Sequence, residues 1–117
     1  MNSSIEVTWQ TDRIESFVIL GTEFDIKEAK QLIIASPRPI IQLNTEDLRF
    51  ISKWVATFWR IEVKADLTVP IIMASIGAGY LPIDGWHRIH RAFKKNIQTI
   101  PAVILTPDET RKIQKLK

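Results

Sequence analysis

The chain has no cysteine, and that single absence removes disulfides, thiolate zinc sites and cysteine nucleophiles together. Long apolar runs are missing as well. The longest, such as Val69 to Ala74, are the size of one strand and far too short to cross a bilayer. The N-terminus, Met1-Asn2-Ser3-Ser4-Ile5-Glu6, lacks the basic and then apolar pattern of a secretory leader. A soluble, cytoplasmic protein without a membrane partner is expected. No internal repeat, low-complexity tract or linker interrupts the sequence, so residues 1–117 read as one domain. At 45% hydrophobic, a chain of 117 residues holds enough apolar side chain for a core.

Acidic residues are scarce in the last third. Residues 1–85 carry 8 Lys/Arg against 11 Asp/Glu, a net charge of −3, whereas residues 86–117 carry 8 against 2, a net +6. Such polarity suits a nucleotide, a nucleic-acid backbone or an acidic partner, and equally a solvated helix face with a basic tail.

The local pattern alternates between strand and helix. Ile5 to Trp9 alternates apolar and polar residues, and Phe17 to Gly21 reads as a second, buried strand. Asp25 is placed to cap a helix over Ile26–Ala35, with Ile26, Ala29, Ile33 and the stem of Lys30 on the inner face, and Pro37-Arg38-Pro39 stops it. Ile40 to Leu43 is a short extended segment. Asn44 or Thr45 caps a helix running to about Arg60, with Glu46 and Asp47 where the helix dipole favours them. Val69 to Ile76, a Gly77-Ala78-Gly79 turn and Tyr80 to Ile83 form a hairpin. Trp86 to Asn96 is a basic amphipathic helix and Ile100 to Leu105 a strand. Thr106-Pro107-Asp108-Glu109 is a capping box that starts a helix reaching about Lys115. Interleaved helices and strands predict an α+β (mixed α/β) class, a small mixed sheet packed with helices.

The densest information lies in Leu81-Pro82-Ile83-Asp84-Gly85-Trp86-His87-Arg88, a strand end, a glycine bend and the start of a basic helix. The first turn of a helix has four N–H groups without internal partners. Gly85 has no Cβ, so backbone can approach a ligand closely. A cation such as Arg88 opposes the dipole at that end, and a bound anion relieves the conflict. Asp-Gly alone is also an ordinary turn signal.

Pro82-Ile83-Asp84-Gly85-Trp86-His87-Arg88, then Ala92, then Ile100-Pro101-Ala102-Val103-Ile104-Leu105, resembles the ParB/sulfiredoxin superfamily: a strand–Gly-x-x-Arg–helix unit, a gap, and an Ile-Pro-Ala strand. The resemblance covers about residues 40–105 and is carried upstream only by the order and spacing of elements. It implies a nucleotide (ATP or CTP) whose phosphates touch Gly85, His87 and Arg88, with Lys53 from the preceding long helix, and Arg60 behind it, as a further contact. Sulfiredoxins have a catalytic cysteine where this chain has Trp86, so their sulfinic-acid chemistry is excluded. The helix-turn-helix and dimerisation domains of chromosome-partitioning ParB proteins have no counterpart in these 117 residues, which would be a stand-alone version.

Within that site Asp84 has several roles open: holding Mg²⁺ at the phosphates, acting as general base, bonding a ribose hydroxyl, or bonding the N–H groups of the bend. His87 reads as a phosphate donor. A metal site of His87, His90 and Asp84 would lack a third firm ligand, and His90 reads as surface or packing. Trp86 is placed to stack on a base or wall off solvent. Arg91 either adds to the positive field or shields the helix, while Lys94 and Lys95 complement its C-terminal dipole. Trp54, Phe58 and Trp59 fit a core stripe better than a base-stacking surface. Glu23 and Asp25, in what reads as an early loop, are candidate metal-binding or general-base carboxylates.

Three functions compete on this evidence. The first is a nucleotide-binding enzyme that hydrolyses NTP or transfers a phosphoryl group, with Asp84, His87 and Arg88 as its catalytic residues. The second is a nucleic-acid-binding or nuclease module. The third is a non-catalytic regulatory protein.

Overall fold

The computed structural model describes residues 16–19, 21–49 and 67–116. The chain enters it as a hairpin of β1 (Ser16–Ile19) and β2 (Thr22–Asp25) that turns through Gly21 at φ +80°. Phe17 pairs with Phe24 and both are buried, whereas Val18 between them is 53% exposed. The predicted buried strand is therefore one-faced. Glu23 and Asp25 lie in β2 and not in a loop, because Phe24 alone carries that strand's inward side.

Helix α1 (Ile26–Ala35) forms as its sequence dictates. The Asp25 carboxylate accepts the Glu28 N–H at 3.0 Å, and Ile26, Ala29, Lys30 and Ile33 are its buried residues. Strand β3 (Ile41–Asn44) follows, then a 3-10 turn (Thr45–Leu48) capped by Asn44, whose side chain accepts the Glu46 N–H at 2.9 Å. The rest of the helix predicted there, with Lys53, Trp54, Phe58, Trp59 and Arg60, lies outside the described residues, as does the strand predicted at Ile5 to Trp9.

Strands β4 (Ile71–Ile76) and β5 (Gly79–Asp84) form an antiparallel hairpin. Helix α2 (Trp86–Lys94) then crosses back to β6 (Thr99–Ile104), which runs parallel to β4 on its other side. The four-stranded sheet has the order β3-β6-β4-β5. Because β5 is antiparallel to β4, its last residue Asp84 lies opposite Ile72 at the start of β4, and α2 begins there. Helix α2 ends at Lys94, two residues earlier than predicted. Asn96 adopts φ +55°, the Ile97 N–H reaches the Ala92 carbonyl at 2.9 Å, and the Asn96 N–H reaches the Phe93 carbonyl at 3.2 Å. This paired-bond left-handed ending satisfies carbonyls that the helix would otherwise leave open.

Helix α3 (Pro107–Ile113) starts on the predicted capping box, with Glu109 N–H to Thr106 Oγ1 at 3.1 Å and Thr106 N–H to Glu109 Oε1 at 2.9 Å. It stops at Ile113, short of the predicted Lys115. Gln114–Leu116 instead form β7, which pairs with β2 and completes a second sheet of order β1-β2-β7. An open strand edge outweighs the weak helix preference of three polar and apolar residues. The class is α+β, with two sheets and three α-helices among the described residues. None of these helices is long and apolar enough to cross a membrane. The core joins both sheets: Phe24, Ile26, Ile33, Ile71, Ile83 and Ile113 are among its fully buried side chains.

Arg38 fastens the end of α1 to the start of α3. It meets both oxygens of Glu109, with Nη2 to Oε2 at 2.8 Å, and donates to the Ser36 and Ile104 carbonyls. These hydrogen bonds from Arg38, opposed by desolvation and helped by the Thr106 N–H, hold the Glu109 carboxyl below its ordinary value of 4.5. A folded-state value below the unfolded one adds stability that is present above about pH 4.5 and lost as pH falls through the folded value. Glu109→Gln should therefore cost about 1–2 kcal/mol at neutral pH, and the gap between the two melting temperatures should close in acid. A gap that stays constant between pH 7 and pH 3 would refute this role.

Candidate functional site

Strand β5 delivers Asp84 to the edge of the core, and Gly85 turns the chain into α2 at φ +99°. A Cβ on Gly85 would stand 2.5 Å from Ile71 Cγ2 and 2.9 Å from Arg88 Nη2. The glycine expected to make room for a ligand is required first by Ile71 and by its own backbone conformation. Helix α2 then starts with no side-chain cap and with no acidic residue in its first turn. Uncapped N–H groups and the positive end of the dipole favour an anion there.

The side chains beneath this helix start are charged and buried. Arg88 Nη2 donates to Asp84 Oδ2 at 3.2 Å and to the Pro70 carbonyl at 3.2 Å. Lys30, from α1, brings its Nζ to 4.0 Å from the same Asp84 oxygen. All three are nearly excluded from solvent, at 6% for Lys30 and 4% each for Asp84 and Arg88. Lys30 and Arg88 thus both face the Asp84 carboxylate. The 4.0 Å separation is too long for a hydrogen bond, and Lys30 has no closer polar partner among the described residues. Lys30 is the site residue that reading the sequence did not assign. Its signal was a lysine on an otherwise apolar helix face.

The other predicted residues separate. Trp86 is buried, and its ring stacks on Phe17 at 6.0 Å between centroids, so it belongs to the core joining α2 to β1. Its indole N–H is buried and meets no acceptor among the described residues. His87 is half-buried in the first turn of α2, and Arg91 is half-buried one turn on. His90, also half-buried, has its pKa pushed down by burial, with Lys94 and His87 adding to the effect. Lys53 lies outside the described residues.

Asp25 is engaged in capping α1, and with Glu23 it lines a shallow cleft of about 200 Å³ that also holds Lys27 and Lys115. Among the described residues no three His, Cys, Asp or Glu side chains come together to hold a metal. Asp84 itself faces Arg88 and Lys30, and a divalent cation at its carboxylate would meet two positive charges. The described residues around Asp84 do not fit a protein-held Mg²⁺.

No family model, curated protein or solved structure matches this chain.

Proposed function

We propose that the chain is a nucleotide-binding domain of the ParB/sulfiredoxin type, holding phosphates at the start of α2 and hydrolysing or transferring one of them. The observation that carries this reading is the buried Lys30 ammonium, no nearer than 4.0 Å to the Asp84 carboxylate that Arg88 already bonds, under a helix N-terminus with no side-chain cap. A buried cation without a full partner is costly, and an anion above it offsets that cost. Arg88 and Asp84 act as positioning residues: the pair fixes the bend against Pro70 and aims the first-turn N–H groups outward. Gly85 sets the bend, and Lys30 with the helix start attracts the phosphates. His87 is the first-turn side chain placed to donate to a phosphate oxygen or to move a proton. Arg91 extends the positive field along the helix.

Arg88→Ala would confound fold with function, since Arg88 compensates Asp84. Lys30→Met is the cleaner variant, because it removes the Lys30 ammonium and keeps the 3.2 Å Arg88–Asp84 pair. Thermal unfolding with ATP, CTP, GTP or inorganic phosphate, each with and without Mg²⁺, tests the reading. A ligand at 100 times its Kd should raise stability by about 2.7 kcal/mol and the Tm by several degrees. Lys30→Met should lose most of that shift, and His87→Ala should lose phosphate release while keeping part of the binding. If no nucleotide or phosphate moves the Tm of the unmodified chain, the reading fails.

A further inference from the structure

A second cleft, of about 480 Å³, opens at the other end of α2. One wall is the 3-10 turn with Arg49, and the other is the last turn of α2 with the connection to β6. Thr45 ties the walls together, donating from Oγ1 to the Ile97 carbonyl at 2.7 Å and from its N–H to the Gln98 carbonyl at 2.9 Å. The volume falls in the range of small-molecule sites.

Its lining has two distinct parts. The first is a flat layer: the Arg49 guanidinium sits over the Phe93 ring at 4.5 Å from the centroid. Glu46 holds that guanidinium with Nε at 3.0 Å from Oε2 and Nη2 at 2.6 Å from Oε2, and its own pKa is lowered by those hydrogen bonds. A planar, weakly hydrated guanidinium fixed in this way is a stacking surface, and the Arg49 side chain is 53% exposed. The second part is a pair of exposed side-chain amides, Asn96 and Gln98, which make no hydrogen bond among the described residues. Each presents a donor beside an acceptor, the complement of a heterocycle edge. Lys94 and Lys95 are exposed beside them, and α2 contains no acidic residue to oppose them.

We propose that this cleft binds a nucleobase, its face on Arg49 and its edge on the amides of Asn96 and Gln98, with the attached phosphates drawn by Lys94 and Lys95. A flat cationic surface, paired amides and a basic rim together match a base with its backbone. Neither an apolar ligand nor an acidic peptide would use the amides and the stacking surface jointly. The site is separate from the anion site at the helix start, so either can fail without the other.

The test uses short fluorescent single-stranded DNAs of each base and an abasic strand of the same length, followed by anisotropy. Nucleoside 5′-monophosphates are added in parallel while the amide signals of Asn96 and Gln98 are followed by NMR. The preferred strand should bind about tenfold more tightly than the abasic strand, the scale of one stacked base. Gln98→Ala combined with Asn96→Gly, which keeps the left-handed turn, should erase that preference while leaving the melting curve near that of the parent. Lys94→Glu with Lys95→Glu should weaken all strands alike and flatten the salt dependence. Lys30→Met should change nothing here. Signals that shift with monophosphates identify a free nucleotide as the ligand, and shifts only with strands identify single-stranded nucleic acid. An abasic strand that binds as well as the others, together with unshifted Asn96 and Gln98 signals, would overturn the proposal.

Discussion

Arg88→Ala should destabilise the fold by about 3–5 kcal/mol, which lowers the Tm by roughly 10 °C or more in a domain of this size. The guanidinium does more than neutralise Asp84. It joins the end of β5 to the Pro70 carbonyl just before β4, so its loss leaves a buried carboxylate and an unpaired backbone acceptor together. Lys30 cannot replace it, since its ammonium is 4.0 Å away and held on another helix. Replacing the two partners together, as Asp84→Leu with Arg88→Met, should recover much of the loss, because a hydrophobic pair of similar volume avoids the desolvation of two ions. Chemical denaturation of the four species forms a double-mutant cycle. A single-variant loss below about 1 kcal/mol would show that the carboxylate is hydrated and that the buried cluster is not the charged unit described.

Gly85→Ala is expected to cost about 3–5 kcal/mol for two separable reasons. An L-residue at φ +99° is strained by about 1–2 kcal/mol. The added methyl also overlaps Ile71, one of the fully buried side chains at the start of β4, and overpacking of that kind costs about 1–3 kcal/mol more. Gly77→Ala provides the comparison. Gly77 also has positive φ, at +55°, but nothing stands within 4 Å of its added methyl, so only the strain applies. Gly85→Ala should therefore be clearly the more damaging of the two in thermal unfolding. Equal losses would mean that Ile71 moves aside and that packing contributes nothing at the bend.

Local signals were readable wherever both ends of an interaction lie within one turn. Asp25 and the Pro37-Arg38-Pro39 stop define α1, and the Thr106-to-Glu109 box defines the start of α3, because caps are contacts over three residues. The Asp84-Gly85 bend was legible for the same reason. Its cause was not, since the atom that forbids a Cβ belongs to Ile71 on the neighbouring strand. Trp86 has a sequence position that fits a ligand wall, yet Phe17 from the first hairpin covers it. Lys30 stood out as a charge on an apolar face, but that this face docks beside Asp84 is a property of the assembled fold. Gln114 and Lys115 read as the end of α3 but form β7 with Leu116, because the ordering of that strand comes from β2 and not from its own residues.

That last pairing also sets an order of events. Phe24 faces Gln114 across 90 residues of chain, whereas the β4–β5 hairpin and α2 are local and contiguous. Closing so long a loop carries a large entropic cost before any contact rewards it, so the hairpin and helix can form early while the smaller sheet waits for the C-terminal segment. The proposed anion site is built on the early unit, whereas Lys30 lies on α1, which follows directly from β2 of the late one. During synthesis Lys30 leaves the ribosome before the bend at Gly85, but the sheet beside its helix is complete only once Gln114–Leu116 have followed.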